Sequence, residues 1–155
     1  MYYIGYIRSP YKELSNMPIQ PRGAANVCGT VIVDEQYAEG LSDLEGFSHI
    51  YLLYEFHKAP RTELKVVPFM DDKTRGVYAT RSPLRPNHIG LSIVELVTRN
   101  GTELTIRGVD VLDQTPLLDI KPYISQFDNV QESRTGWFRA NEKEVSKKRS
   151  DTRFV

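Results

Sequence analysis

Short apolar runs recur along the chain, each cut from the next by a cluster of glycine, proline, asparagine or aspartate. The runs are YYIGYIRS, CGTVIVD, SHIYLLYEFH, ELKVVPF, GVYATRS, LSIVELVTR, ELTIRGVDVL and LLDIKPYI. They are rich in valine, isoleucine, tyrosine and phenylalanine, which fit a pleated, half-buried surface, so each reads as a strand. In SIVELVTRNGTELTIRGVDVL the pair Asn100-Gly101 stands between two alternating runs and predicts a tight type I′ hairpin. Helical signals are few. EGLSDLEGF predicts one short helix, capped by Ser42 or ended by Gly46, and ISQFDN predicts a further turn. The class is mainly β. Many short strands at regular spacing predict a closed barrel with short connecting helices, because closure removes the edges such strands would otherwise expose.

A length of 155 residues supports one domain with one sizeable core. The barrel is expected over 1–130. Beyond it charge rises and periodicity fades, so 131–155 reads as a charged tail, either mobile or an arm that docks on a partner. Twenty Lys and Arg balance twenty Asp and Glu. With no global basic field, any RNA contact must come from local clusters such as Arg8 and Lys12, Arg81 and Arg85, and the KKR at 147–149. The single cysteine, Cys28, excludes a disulfide within the monomer and reads as a small buried apolar side chain. The opening MYYIGYIRSP has neither a basic start nor a long apolar run, and no stretch reaches a membrane span. A soluble cytoplasmic protein is expected, without membrane contact.

Several chemistries lose support. No G-x-G-x-x-G, G-x-x-x-x-G-K-[ST] or G-x-S-x-G is present, so doubly wound dinucleotide folds, phosphate loops and the simplest serine hydrolases fall away. His49, His57 and His88 lack metal-ligand spacing, and no metal site is expected.

Four segments remain. In ATRSPLRPNHIGLS (79–92), Pro83 and Pro86 exclude a helix. An extended chain covers roughly 13 Å in four residues, so Arg81 and Arg85 can bracket a ligand better than they can grip one small anion. After Pro116, period-two alternation puts Leu117, Asp119, Lys121 and Tyr123 on one face, and Leu118, Ile120 and Pro122 on the other. Acid, base and phenol then stand together, with Asp110 and Asp113 flanking the preceding turn. MPIQPRG (17–23) is a proline-stiffened loop carrying Gln20 and Arg22, and FSHIYLLYEFH is a core strand ending in His57. Each has a bland alternative, a solvated turn or a wet strand face with weak surface ion pairs.

The order and wording of these segments resemble one family. IGYIRSPYK (4–12), QP (20–21), LEGFSHIYLLYEFH (44–57), GVYATRSPLRPNHIGLSIVEL (76–96) and VDVLDQTPLLDIKPYI (109–124) are similar to the TrmO, or TsaA-like, β-barrel tRNA methyltransferases. The resemblance implies a single-sheeted antiparallel barrel, a homodimer, S-adenosylmethionine as cofactor and tRNA as partner. The implied activity is N6-methylation of N6-threonylcarbamoyladenosine at position 37, beside the anticodon. It places the donor on Gln20, Pro21, Arg22, His57, Lys58, Arg81, Leu91, Arg107, Gly108, Val109 and Asp110, and substrate on Arg85 and Asn87. An arginine such as Arg81 suits the donor's carboxylate, and Asp110 suits a hydroxyl or its cation. Methyl transfer is an in-line displacement in which positioning supplies much of the rate. Asp119 is the candidate proton acceptor, with Lys121 and Tyr123 orienting substrate. The family commonly has DGTP where this chain has DQTP, so Gln114 replaces a glycine tolerant of positive φ. Bacterial relatives often carry an extra C-terminal domain, where this chain has only its charged tail.

Two other readings differ in chemistry. A sensor of S-adenosylmethionine would need Arg81 and Asp110 but not the acid, base and phenol of 119–123. An RNA-binding barrel of the OB type would need exposed aromatic platforms such as Tyr51, Tyr54, Phe56 and Tyr78 beside a basic groove. Alternation buries part of that aromatic set, and neutrality weighs against the groove.

Overall fold

The apolar runs become strands where alternation is strongest. A computed structural model describes residues 1–15, 17–19, 24–139 and 142–154. Its strands are β1 (Gly5–Arg8), β2 (Cys28–Val33), β3 (His49–Glu55), β4 (Lys65–Val66), β5 (Arg75–Gly76), β6 (Ile89–Asn100), β7 (Glu103–Arg107) and β8 (Thr115–Pro122). β1, β2, β7, β6, β3 and β8 pair in that order, all antiparallel, and close into a barrel, while β4 and β5 form a separate ribbon. Mainly-β class, single barrel and short helices are thus as the sequence predicts.

Every second side chain points inward. Ile7, Val31, Ile50, Leu52, Leu104, Ile106 and Leu117 are fully buried there. Burial of each large aliphatic side chain contributes about 1.5–3 kcal/mol, which is why the period-two pattern fixes the register.

One alternation breaks. β3 pairs with β8 as Leu53↔Asp119 but then Tyr54↔Leu117, so a bulge lies at Leu118. The extra residue turns Leu117 into the core while Asp119 and Lys121 stay outside, which separates Leu117 from the face predicted for it.

Other local expectations are corrected. The β6–β7 pair ends at Asn100↔Glu103, so the two turn residues are Gly101 and Thr102, and only Gly101 has positive φ, at 62°. A type I′ turn needs two such residues, so Asn100 belongs to the strand and the predicted type is wrong. EGLSDLEGF gives two 3-10 helices, Glu35–Leu41 and Leu44–Gly46, with Ser42 closing the first rather than capping a helix start. GVYATRS is mostly not strand: a 3-10 turn spans Val77–Ala79, because Val77 is drawn into a small second core. Cys28 is exposed, contrary to its expected burial, since β2 begins there and turns inward only from Val31. ISQFDN forms α1 (Ser125–Asp128).

The second core joins Val66, Val77 and Leu84 with Phe154 near the chain's end, and Phe69 packs against it. α2 (Glu142–Lys147) leads to this anchor. On the way Ser150 N–H donates to Met17 O at 2.7 Å and Ser150 Oγ donates to Leu14 O at 2.6 Å. The charged C-terminal segment therefore packs on its own chain. Among the described residues no helix is long and apolar enough to cross a membrane.

Candidate functional site

A polar chain runs through one wall of the barrel. Tyr54 of β3 and Ser92 of β6 both face inward, 4 % and 2 % exposed. Their hydroxyl oxygens are 2.9 Å apart, and Ser92 Oγ donates to Asp110 Oδ1 at 2.7 Å. Asp110 is half-buried in the segment after β7. Burial pushes its carboxyl up to about 6, opposed by the Ser92 hydrogen bond and by the positive charge of Arg81. Tyr54's phenol is pushed up by burial and then by Asp110, with Ser92 and Arg81 acting the other way. One electrostatic neighbourhood therefore holds Tyr54, Ser92, Asp110 and Arg81. The sequence offers Tyr54 only as an aromatic platform, which its burial rules out, and does not single out Ser92, although a serine at an inward position of an alternating strand is a usable signal.

The Arg81 loop is fastened from within. Arg85 Nη1 donates to Thr80 O at 3.0 Å and Ser82 O at 3.2 Å, tying the loop's backbone to itself. His88 adopts a left-handed conformation, φ 49°, one that histidine tolerates better than most side chains. Its Nδ1 donates to Pro83 O at 2.8 Å, and its carbonyl accepts Phe56 N–H at 2.7 Å. The loop is thus stitched to the end of β3. Arg81 and Asn87 remain exposed, whereas the contacts of Arg85 are scaffold contacts.

The other predicted donor residues scatter over this frame. His57 is half-buried just beyond β3, and burial, then Lys58, lowers its pKa. Leu91 sits on the outer face of β6 opposite Leu53. Arg107 also points outward, with Nη1 3.0 Å from Glu95 Oε2, while Val109 is buried in the core and Gly108 N–H donates to Val27 O. Of the four residues 107–110, the structure brings only Asp110 to the polar chain. Gln20, Pro21 and Arg22 lie outside the described residues.

Asp119, Lys121 and Tyr123 do share the outer side. Lys121 Nζ is 3.5 Å from Asp119 Oδ2, and Tyr123 packs on Tyr51 at 5.8 Å between ring centroids. Asp119 also accepts the N–H of Ile120 at 2.9 Å. Among the described residues no cluster of histidine, cysteine, aspartate or glutamate suits a metal ion.

The N-terminal RSPYK closes the other side of the Asp110 segment. Ser9 N–H donates to Asp113 Oδ1 at 2.9 Å, Ser9 Oγ donates to Val111 O, and Lys12 pairs with Asp113 Oδ2. Gln114 then takes a left-handed conformation, φ 63°, while exposed. That conformation costs a residue with a Cβ about 1–2 kcal/mol, part of which glycine's greater unfolded-state freedom cancels. Gln114→Gly is therefore expected to raise Tm by roughly 1–3 °C. A fall in Tm on thermal melting would show that the Gln114 side chain holds the turn.

The family description "tRNA-methyltransferase O N-terminal domain" matches residues 6–129, from β1 past α1. The chain belongs to the tRNA-methyltransferase O family. Crystallised TrmO from Pseudomonas aeruginosa is 39 % identical and superposes with a TM-score of 0.74 over 88 % of this chain. This chain spans 61 % of that protein's length. A probable S-adenosyl-L-methionine-binding protein of Pyrococcus abyssi is 51 % identical over 97 % of this chain and 82 % of its own. A mouse tRNA (adenine(37)-N6)-methyltransferase is 36 % identical over 83 % of this chain, which covers 31 % of the mouse protein. Within the tRNA-methyltransferase O fold, Arg81, Asp110 and the buried hydroxyls lie where a closed barrel wall meets its loops.

Proposed function

We propose that this protein is an S-adenosylmethionine-dependent tRNA methyltransferase acting on N6 of adenine at position 37, with the threonylcarbamoylated nucleoside as substrate. The observation that carries the reading is a half-buried Asp110 that feels the positive charge of Arg81, in a chain of this family. The donor is zwitterionic and carries a sulfonium, so a guanidinium and a carboxylate in one electrostatic neighbourhood match its ends. His57 and Lys58 at the end of β3, Leu91 on β6, and Gln20, Pro21 and Arg22 are assigned to the same donor. Asn87 lies at the exposed tip of the Arg81 loop and faces substrate. Asp119, Lys121 and Tyr123 orient the nucleoside or its flanking phosphates. Family membership and the binding named for the archaeal relative support the donor; the mouse relative's name supports the base and its position.

The outer wall supports a homodimer. Leu91, Ile93 and Val97 of β6 are all exposed large apolar side chains on one face of one strand. A second copy would cover that stripe. For tRNA, Arg139, Lys147 and Lys148 line an open cleft with Met70 and Glu144 and give local phosphate contacts on a neutral protein. Such a role suits action in the cytoplasm.

The test is calorimetric titration with S-adenosylhomocysteine. Wild type is expected to bind, and Arg81→Ala to lose about 10- to 100-fold in affinity, the worth of a charged hydrogen bond to the amino acid carboxylate. Absence of wild-type binding would sink the reading. A sensor would bind equally well but transfer no methyl group to tRNA in a single-turnover assay.

A further inference from the structure

We propose that Asp110 takes the proton from the attacking adenine nitrogen, and that Ser92 and Tyr54 are positioning residues that hold its carboxylate for that step. The inference rests on the methyltransferase reading above.

The direction of the hydrogen bonds is fixed by proton count. Ser92 has one hydroxyl proton, and it goes to Asp110 Oδ1. Tyr54 must therefore donate its own proton to Ser92 Oγ. The chain runs one way, from a buried phenol through a buried hydroxyl to a half-buried carboxylate. It engages Oδ1 and sets the orientation of Oδ2. A carboxylate is costly to hold in a barrel wall, and a serine and tyrosine alone would satisfy each other there. The arrangement makes sense if the carboxylate has work to do at its second oxygen.

Its surroundings suit a base at neutral pH. The groups facing Asp110 are Ser92 of β6, Tyr54 of β3, Arg81 from its loop, and Tyr11 from the N-terminal segment, whose phenol feels Asp110 and, oppositely, Arg149. Burial keeps the carboxylate basic enough to accept a proton, while Ser92 and Arg81 keep it ionised. A general base works best with a pKa near the operating pH. Asp119, by contrast, lies on the outer face with Lys121 as ion partner and Ile120 N–H already on its Oδ1.

The step balances. Asp110 forms a bond to the N6 proton, and the electron pair of the broken N–H bond stays on nitrogen. Nitrogen forms its new bond to the methyl carbon as the carbon–sulfur bond breaks, and that pair remains on sulfur, which leaves as a neutral thioether. The proton on Asp110 then passes to solvent water.

The experiment combines single-turnover methylation of tRNA across pH with titration by S-adenosylhomocysteine. The wild-type rate is expected to rise through a pH near the Asp110 value of about 6. Asp110→Asn should lose about 10²- to 10⁴-fold in rate at saturating donor, the usual worth of a general base, a loss well beyond whatever affinity for S-adenosylhomocysteine goes with its charge. Ser92→Ala and the near-isosteric Tyr54→Phe withdraw support from the ionised form, so both should move the acid limb to higher pH without weakening binding, and Ser92→Thr should restore it. Three results would overturn the proposal: an Asp110→Asn protein with full chemical rate, one whose rate loss is matched by lost affinity, or loss of the acid limb in Asp119→Asn alone. A wild type that does not bind S-adenosylhomocysteine would overturn the inference together with the methyltransferase reading, whereas the first three results leave that reading standing.

Discussion

Gly90→Ala is expected to destabilise the protein by about 1–3 kcal/mol, the usual cost of overpacking a core, and to cut methyl transfer as well. A Cβ built at Gly90 would lie 2.3 Å from Cε2 and 2.6 Å from Cζ of Tyr54, its direct cross-strand partner. Neither side can yield cheaply. The ring is wedged against Phe56 at 5.5 Å between centroids, and its hydroxyl is anchored on Ser92. To admit the methyl group the ring must tilt, which draws the hydroxyl off Ser92 and loosens Asp110 in turn. Thermal melting and single-turnover rate should therefore fall together. The double variant Gly90→Ala/Tyr54→Leu removes the clash and should recover much of the stability but none of the rate, a non-additivity expected of residues in contact. Wild-type Tm in Gly90→Ala would mean that the ring swings freely, and the positioning chain would lose its basis.

That dependence of one residue on a neighbour across the sheet marks the limit of what the sequence shows. Alternation in HIYLLYE and SIVELV places Ile50, Leu52 and Tyr54 inside with Ser92 and Val94, and the barrel follows from it. Asp110 and Arg81 are legible through their motifs. The bond from Ser92 to Asp110 is not, because it spans the barrel wall between residues 18 apart in the chain. The bulge at Leu118 is equally silent: nothing in TPLLDIKP says that two residues of β8 will oppose one step of β3, yet this sorts Leu117 inside and Asp119 outside. GVYATRS looks like a strand because Val77 and Tyr78 have β propensity. Tertiary packing overrides propensity there, since Val77 is claimed by Leu84 and Phe154 while Tyr78 is left exposed. The C-terminal segment looked unanchored because its anchor is one aromatic residue at the far end of a charged run.

Phe154→Ala tests that anchor and carries a comparable effect. Phe154 is 8 % exposed, lies on Phe69 at 4.8 Å between ring centroids, and packs with Val66, Val77 and Leu84. Arg153 beside it donates from Nη1 to Pro68 O at 2.7 Å and stacks over Phe69, while Asp151 holds its guanidinium at 2.9 Å. Removal of a buried phenylalanine side chain costs about 3–5 kcal/mol. Because the second core is separate from the barrel core, the loss should appear as local opening rather than global unfolding. Amide exchange at 149–154, and at Val77 and Leu84, should quicken by about 10²- to 10³-fold, at 1.4 kcal/mol per decade, while β3 and β6 keep their protection. Leu84 belongs to the loop that carries Arg81, and Ser150 holds Met17 just before the 20–22 loop. Freed at one point, the segment loosens the loop that carries Arg81, so affinity for S-adenosylhomocysteine should fall although Phe154 belongs to the second core and Asp110 to the barrel wall. Equal loss of protection in β6 would show one cooperative unit, and unchanged affinity would free the donor pocket from any dependence on the C-terminal segment.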